Sequence, residues 1–182
     1  MSIYTALSDD HRIFESQLDT LLASSEAGDD RWKTTLDELR RGLIAHAHAE
    51  EAVFYNALRE TGEANSVVLH SYAEHAAAEG EIRALGAAKT IDVNWTTMVK
   101  KFAKDLRHHI QEEESRVYDA GRMVFDSEDA KQLGNAFKRM KAEMANDGDS
   151  MVSSTVDLIA NMLPPRLTKS FRENLSRLRK SA

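Results

Sequence analysis

The chain of 182 residues predicts an all-α fold, an up-down antiparallel four-helix bundle with a C-terminal helical extension. Three observations predict it. Apolar residues recur at three- and four-residue steps through four long segments, no stretch alternates apolar and polar residues for long enough to make a strand, and the two prolines, Pro164 and Pro165, fall well outside those segments. Long helices with short connections pack as antiparallel neighbours.

Ile3, Leu7, His11, Phe14, Leu18 and Leu21 mark the first helix, which fades at SSEAGDD, residues 24–30. Trp32, Leu36, Leu39, Leu43, His46, Glu50, Phe54 and Leu58 mark the second in the same way. Val68, Tyr72, His75, Ile82 and Leu85 mark the third; Trp95, Met98, Phe102, Leu106, His109, Glu113 and Val117 mark the fourth. In each stripe a polar residue stands where a core residue belongs.

The bundle is expected over residues 1–126 and the extension over 127–182, the latter as helices at 127–144 and 150–163 and a basic amphipathic end at 166–180. Charge separates the two parts: residues 1–126 carry 14 basic and 23 acidic side chains, whereas 127–182 carry 10 and 7. The extension is expected to pack on the bundle or to join two copies as a homodimer. Its basic end reads more simply as a packed helix with a wet face than as a membrane or partner site.

Composition excludes several classes. With no Cys, disulfides, thiolate metal sites and cysteine redox chemistry are ruled out, so a metal here takes nitrogen and oxygen ligands. A net charge of −6 argues against general affinity for nucleic acid. The N-terminal residues lack the pattern of a secretory signal and no window is apolar enough to span a membrane, which sets the expectation of a cytoplasmic protein.

Two internal repeats carry the chemistry. HAHAEEAVFY (46–55) and HIQEEESRVY (109–118) share His, three residues, Glu-Glu, three residues, Tyr; Asp10-His11 with Glu15 is matched by Glu74-His75 with Glu79. The chain therefore reads as two copies of one helical hairpin. His11 and His46 are 35 residues apart around the first turn, and His75 and His109 are 34 apart around the second. Each lies about 25 Å from its turn at 1.5 Å per residue, so the four are expected at one height inside the bundle.

His and Glu four residues apart stack on one helix face and can reach a common metal. His46 with Glu50 and His109 with Glu113 form two such pairs, and His11 and His75 complete four imidazoles and two carboxylates. Buried carboxylates without a partner cost several kcal/mol, which a cation would offset. Two bridging carboxylates, four imidazoles and a bridging oxygen fill about ten of roughly twelve positions of a six-coordinate metal pair, leaving room for a small molecule.

The same spacing in His70 with Glu74 and His108 with Glu112 falls on a solvated face, and His48 reads as a surface or outer residue. Glu15 and Glu79 are expected to hydrogen-bond ligand rings, with ligation itself the weaker reading. Tyr72, one turn before His75, is either a core tyrosine or a phenol near an open metal position. A bundle without metal, its histidines and glutamates pairing with each other, remains the bland alternative.

The pattern His11, His46-x3-Glu50, His75, His109-x3-Glu113 resembles the hemerythrin-like, or HHE cation-binding, family in its bacterial variant, over about residues 1–125. The resemblance implies an oxo- or hydroxo-bridged non-haem di-iron centre in a four-helix bundle. It also implies roles in oxygen binding, oxygen or nitric oxide sensing, peroxide decomposition and iron-related or oxidative stress. Ser71 stands where oxygen-carrying hemerythrins have a further histidine, which points away from reversible oxygen carriage. Neither the Glu-x-x-His of ferritin-like proteins nor the HExxH of zinc proteases is present. The donor set suits Fe or Mn and also admits Zn. Two functions follow: a di-iron protein that binds or reduces O2, peroxide or NO, or a sensor whose centre acts through the basic tail.

Overall fold

The computed structural model describes residues 1–27, 30–62, 65–88, 90–147 and 153–173. α1 (Ile3–Ala27) and α2 (Arg31–Glu50) make the first hairpin; α2 continues through a π-helical turn, π1 (Glu51–Tyr55), into α3 (Asn56–Thr61). α4 (Asn65–Gly86) and α5 (Val93–Glu112) make the second, and α5 continues through π2 (Glu113–Val117) into α6 (Tyr118–Val124). α1 packs on α2, α2 on α4, α4 on α5 and α5 on α1, which closes an up-down ring of four. The fold is all-α, with no strand among the described residues.

Local chemistry sets the ends. Gly62 adopts φ 76° and its N–H bonds the Arg59 carbonyl, stopping α3 in a left-handed conformation that a Cβ would disfavour. Asp92 caps α5 by accepting from the Trp95 N–H at 2.7 Å. Trp32 and Trp95, at equivalent positions of the two hairpins, meet with ring centroids 4.9 Å apart, and the Trp95 indole N–H bonds the Leu85 carbonyl.

The sequence pattern predicts unbroken helices from Trp32 to Leu58 and from Trp95 to Val117; each instead contains a π turn, the two starting within one residue of the same point of the repeat. A π turn inserts a residue into the helical period, and such turns concentrate at functional sites. The inward position after Glu50 thereby passes to Tyr55, five residues on. Phe54 remains buried, against Tyr4 and Phe125.

The apolar interior is divided. One cluster fills the hairpin-turn end, around Phe14, Leu21, Trp32, Leu39, Trp95 and Phe102. The other, around Leu7, Phe54, Leu58, Phe137 and Ile159, fills the opposite end and includes the extension. The six polar residues singled out above lie in the gap.

α7 (Ser127–Asp147) packs across α1 and α2, and α8 (Ser153–Met162) packs on α7. Pro165–Leu167 then form a short 3-10 turn leading into helical residues 168–173. The rest of the expected basic helix, 174–180, lies outside the described residues. Within them Arg166 pairs with Asp129, Arg172 with Asp157 and Lys169 with Glu173. No helix among the described residues is long and apolar enough to cross a membrane.

Two glycines test the packing with opposite signs. A Cβ on Gly134 of α7 would stand 2.6 Å from the Met1 carbonyl oxygen and 2.7 Å from the Ser2 carbonyl carbon, whereas a Cβ on Gly80 in α4 meets nothing within 4 Å. Gly80→Ala is expected to stabilise by roughly 0.5–1 kcal/mol through helix propensity. Gly134→Ala has the same propensity gain but an overpacking cost of about 1–3 kcal/mol against backbone, so it is expected to destabilise. Urea denaturation of the two variants beside the parent checks the signs.

Candidate metal centre

His11 from α1, His46 and Glu50 from α2, His75 from α4, His109 from α5 and Glu113 at the start of π2 come together at one level of the bundle. None is more than 6% exposed. The imidazoles fall into two pairs. His75 and His109 bring their Nε2 atoms to 3.1 Å, and the His11 and His46 rings lie with centroids 5.1 Å apart. Each carboxylate reaches one ring of each pair: Glu50 Oε2 is 3.5 Å from His46 Nε2 and 3.6 Å from His75 Nε2, while Glu113 Oε2 is 3.2 Å from His11 Nε2 and 3.7 Å from His109 Nε2.

The outer nitrogens are all engaged by carboxylates. His46 Nδ1 lies 2.9 Å from Asp10, His109 Nδ1 3.0 Å from Glu74, His75 Nδ1 2.9 Å from Glu51 and His11 Nδ1 3.0 Å from Glu114. Where the outer carboxylate is ionised it only accepts, so Nδ1 carries the proton and a neutral ring presents an Nε2 lone pair inward; on His11, Glu113 favours a second proton that a cation would replace. Two such lone pairs at 3.1 Å, as in His75 and His109, repel unless a proton or a cation lies between them. About 3 Å is also the separation of neighbouring donors on a six-coordinate ion with bonds near 2.1 Å. Glu50 Oε1 and Oε2, Glu113 Oε2 and His11 Nε2 are buried without a hydrogen-bond partner among the described residues. The donor set therefore fits a cation.

This arrangement replaces the expectation that Glu15 and Glu79 orient the rings. Glu15 is exposed, and Glu79 binds Arg83 and approaches His48 at 3.5 Å. The reason is directional: a ring whose Nε2 faces the bundle axis aims Nδ1 sideways at the next helix, so a partner one turn away on the same helix cannot meet it. Asp10, Glu51, Glu74 and Glu114 were missed as partners. Their signal was present as doublets, Asp10-His11, Glu50-Glu51, Glu74-His75 and Glu113-Glu114.

Tyr55 was also missed, although the repeat displays it five residues after Glu50. Its hydroxyl donates to Glu113 Oε1 at 3.2 Å and its ring stacks on His75 at 5.4 Å. Tyr72 instead directs its hydroxyl to the Glu51 carbonyl and the Asn56 side chain, both at 3.4 Å. His70, His108 and His48 are exposed. His70 Nε2 lies 3.4 Å from both Glu74 and Glu112, so these residues form a wet rim outside the Glu74–His109 bond.

On the side of the imidazoles away from Glu50 and Glu113 lies a cavity of about 10 Å³, lined by the four rings with Phe14, Leu106 and Ile110 among their apolar neighbours. That volume accommodates about one water-sized molecule.

Burial dominates the electrostatics. It pushes His46 down to about 4; it also pushes His75 down to about 3, helped by the neighbouring His109. Burial opposes the charge on His11 too, but Glu113 and Glu114 beside it outweigh this and raise it to about 9. Burial and the adjacent Glu113 raise Glu50 well above the carboxylate range; Glu113, despite its own burial, is held well below it by Glu50 and His11. Without metal, His11 thus keeps its proton at neutral pH, while burial and the adjacent Glu113 favour the neutral form of Glu50.

Four imidazoles and two carboxylates buried at mid-height of a four-helix bundle define a helical bundle whose nitrogen and oxygen donors fit a cation. The family model for the hemerythrin HHE cation binding domain matches residues 2–120, and the chain belongs to that family. No curated protein and no solved structure matches the chain.

The pKa shifts give a pH dependence. His11 is raised from 6.5 to about 9, so its contribution to stability is fully present below about pH 6.5 and is lost as pH rises through about 9. The raised Glu50 acts in the same direction. The chelated chain is expected to lose stability between about pH 6.5 and 9, by up to about 1.4 kcal/mol per pH unit for the His11 proton. Metal binding displaces that proton, so the loaded chain should lack this slope. Urea midpoints of both forms across that range provide the check.

Proposed function

We propose that the chain holds two iron ions and uses them to bind, sense or reduce a small oxidant such as O2, peroxide or NO. One observation carries the reading: all four Nδ1 atoms meet outer carboxylates, so four Nε2 atoms and several unpartnered carboxylate oxygens are left to converge on the bundle axis. In this reading His11 and His46 hold one ion and His75 and His109 the other, with Glu50 and Glu113 each shared between them. Manganese or zinc satisfies the same donors, but neither family membership nor the donor set favours them over iron.

Bound iron would supply the electrons for reducing an oxidant. The chain's own contribution is confinement and proton placement. The small cavity beside the rings has room for about one water-sized molecule, which suits a ligand of that scale. Tyr55 directs a hydroxyl proton at Glu113. The outer carboxylates keep the rings in one tautomer and orientation, a role that strengthens imidazole as a donor.

The sensor reading also has a specific observation in its favour: α7 touches the centre, Phe137 packing edge-on to His46 and Lys141 bonding Asp10. The extension belongs to the same folded body, its residues Phe137 and Ile159 sharing the second apolar cluster. Removing it would therefore disturb folding, and point variants of its contacts test the sensor reading more cleanly.

Reloading the chelated chain with ferrous iron under argon is expected to give about two iron per chain by metal analysis. Separate exposure to O2, peroxide and NO should change its near-ultraviolet absorption with at least one of them. His46→Ala and Glu113→Gln should each remove at least one ion while helicity is retained. A helical chain that binds no iron overturns the proposal, and one that binds two without response to any of the three oxidants overturns the reactive part.

A further inference from the structure

α7 lies beyond residues 2–120, yet it completes one side of the centre. Phe137 is 1% exposed and sets its ring at 83° to His46 with centroids 5.4 Å apart. Lys141, one turn further along, donates from Nζ to Asp10 Oδ1, and Asp10 Oδ2 accepts from His46 Nδ1 at 2.9 Å. Among the described residues, Asp10 is the only one of the four outer carboxylates paired with a lysine or arginine. Its counterpart in the second hairpin, Glu74, has the exposed His70 at its other oxygen instead.

A carboxylate that accepts from Nδ1–H draws on that proton and makes Nε2 a stronger donor; a cation on the carboxylate's second oxygen withdraws part of that pull. The lysine also adds a positive charge near one ion, in a site where Asp10 is largely removed from solvent and screening is weak. Both effects favour the less oxidised form of an ion bound to His46.

We propose that Lys141 is a positioning residue of the metal centre which, through Asp10, holds His46 and makes the ion at His11 and His46 easier to reduce than the ion at His75 and His109. The proposal rests on the reading of the six buried residues as ligands. It makes the two halves of a nearly repeated site unequal, and it assigns the inequality to the extension.

The test is a redox titration of the full iron-loaded chain, followed spectroscopically, with Lys141→Met and Lys141→Arg beside the parent. The parent is expected to show two separate one-electron steps. Lys141→Met should lower the more oxidising step by about tenfold in its equilibrium constant, about 59 mV for one electron, and leave the other step in place. Lys141→Arg should behave as the parent. A Lys141→Met chain with full iron and unchanged steps, or a Lys141→Arg chain that behaves like Lys141→Met, overturns the proposal.

A second measurement needs no variant. In the zinc-loaded parent, proton and nitrogen NMR should find the His46 Nδ1–H signal upfield of the other three ligand rings; its position among or below them in field overturns the inference. Failure of the parent to take up iron or zinc overturns the underlying reading, whereas uptake by a centre with equal halves overturns the inference alone.

Discussion

Two carboxylates in the middle of a helical bundle are the constraint on which the rest of the structure depends. Glu50 and Glu113 sit with no more than 1% exposure, and no lysine or arginine pairs with either among the described residues. Burying one charge without compensation costs several kcal/mol, comparable with a large part of a domain's net stability. The apolar core is split around this layer, so the fold forgoes continuous packing there. Compensation comes from a ring of imidazoles, the raised proton affinity of Glu50, and the capacity to exchange protons for cations.

The outer bonds distribute that compensation across the whole bundle. Within each hairpin the acid before the lone histidine serves the partner helix: Asp10 meets His46, and Glu74 meets His109. Between hairpins the second glutamate of each doublet crosses over: Glu51 meets His75, and Glu114 meets His11. Neither hairpin alone can satisfy its own rings. The centre therefore forms only when the two hairpins dock, and docking is rewarded by the polar layer as well as by the apolar clusters on either side. Both π turns fall at the doublets, where the helix must present one glutamate to the axis and the next to a neighbouring helix.

The four helices and the common level of the six donors were legible because both follow from regular geometry. A stripe at three- and four-residue steps sets a face, and equal spacing from a turn sets a height. The outer partners were not legible from that geometry, since choosing Asp10 over Glu15 requires knowing which neighbouring helix Nδ1 faces. The π turns escaped for a related reason: one extra residue changes the face downstream without altering the apolar pattern, as both Phe54 and Tyr55 are buried. The repeated tyrosine five residues after each first glutamate was the visible trace. Lys141 left no trace, because a lysine on an amphipathic helix resembles every other solvated lysine until the helix is placed.

The repeat also explains why departures from symmetry carry information. Tyr55 and Tyr118 occupy matching positions, yet Tyr55 bonds Glu113 and stacks on His75, while Tyr118 turns its hydroxyl toward Ser8 at 3.3 Å. The His11 and His46 half is bordered instead by Phe14 and Phe137 around His46, and by Lys141 through Asp10. A duplicated hairpin by itself would generate two equivalent halves. Among the described residues, α7 covers one side of the ring, against α1 and α2, so its side chains reach the half that those helices carry. Unequal surroundings for chemically similar donors are a direct consequence of packing α7 against one side of a twofold plan.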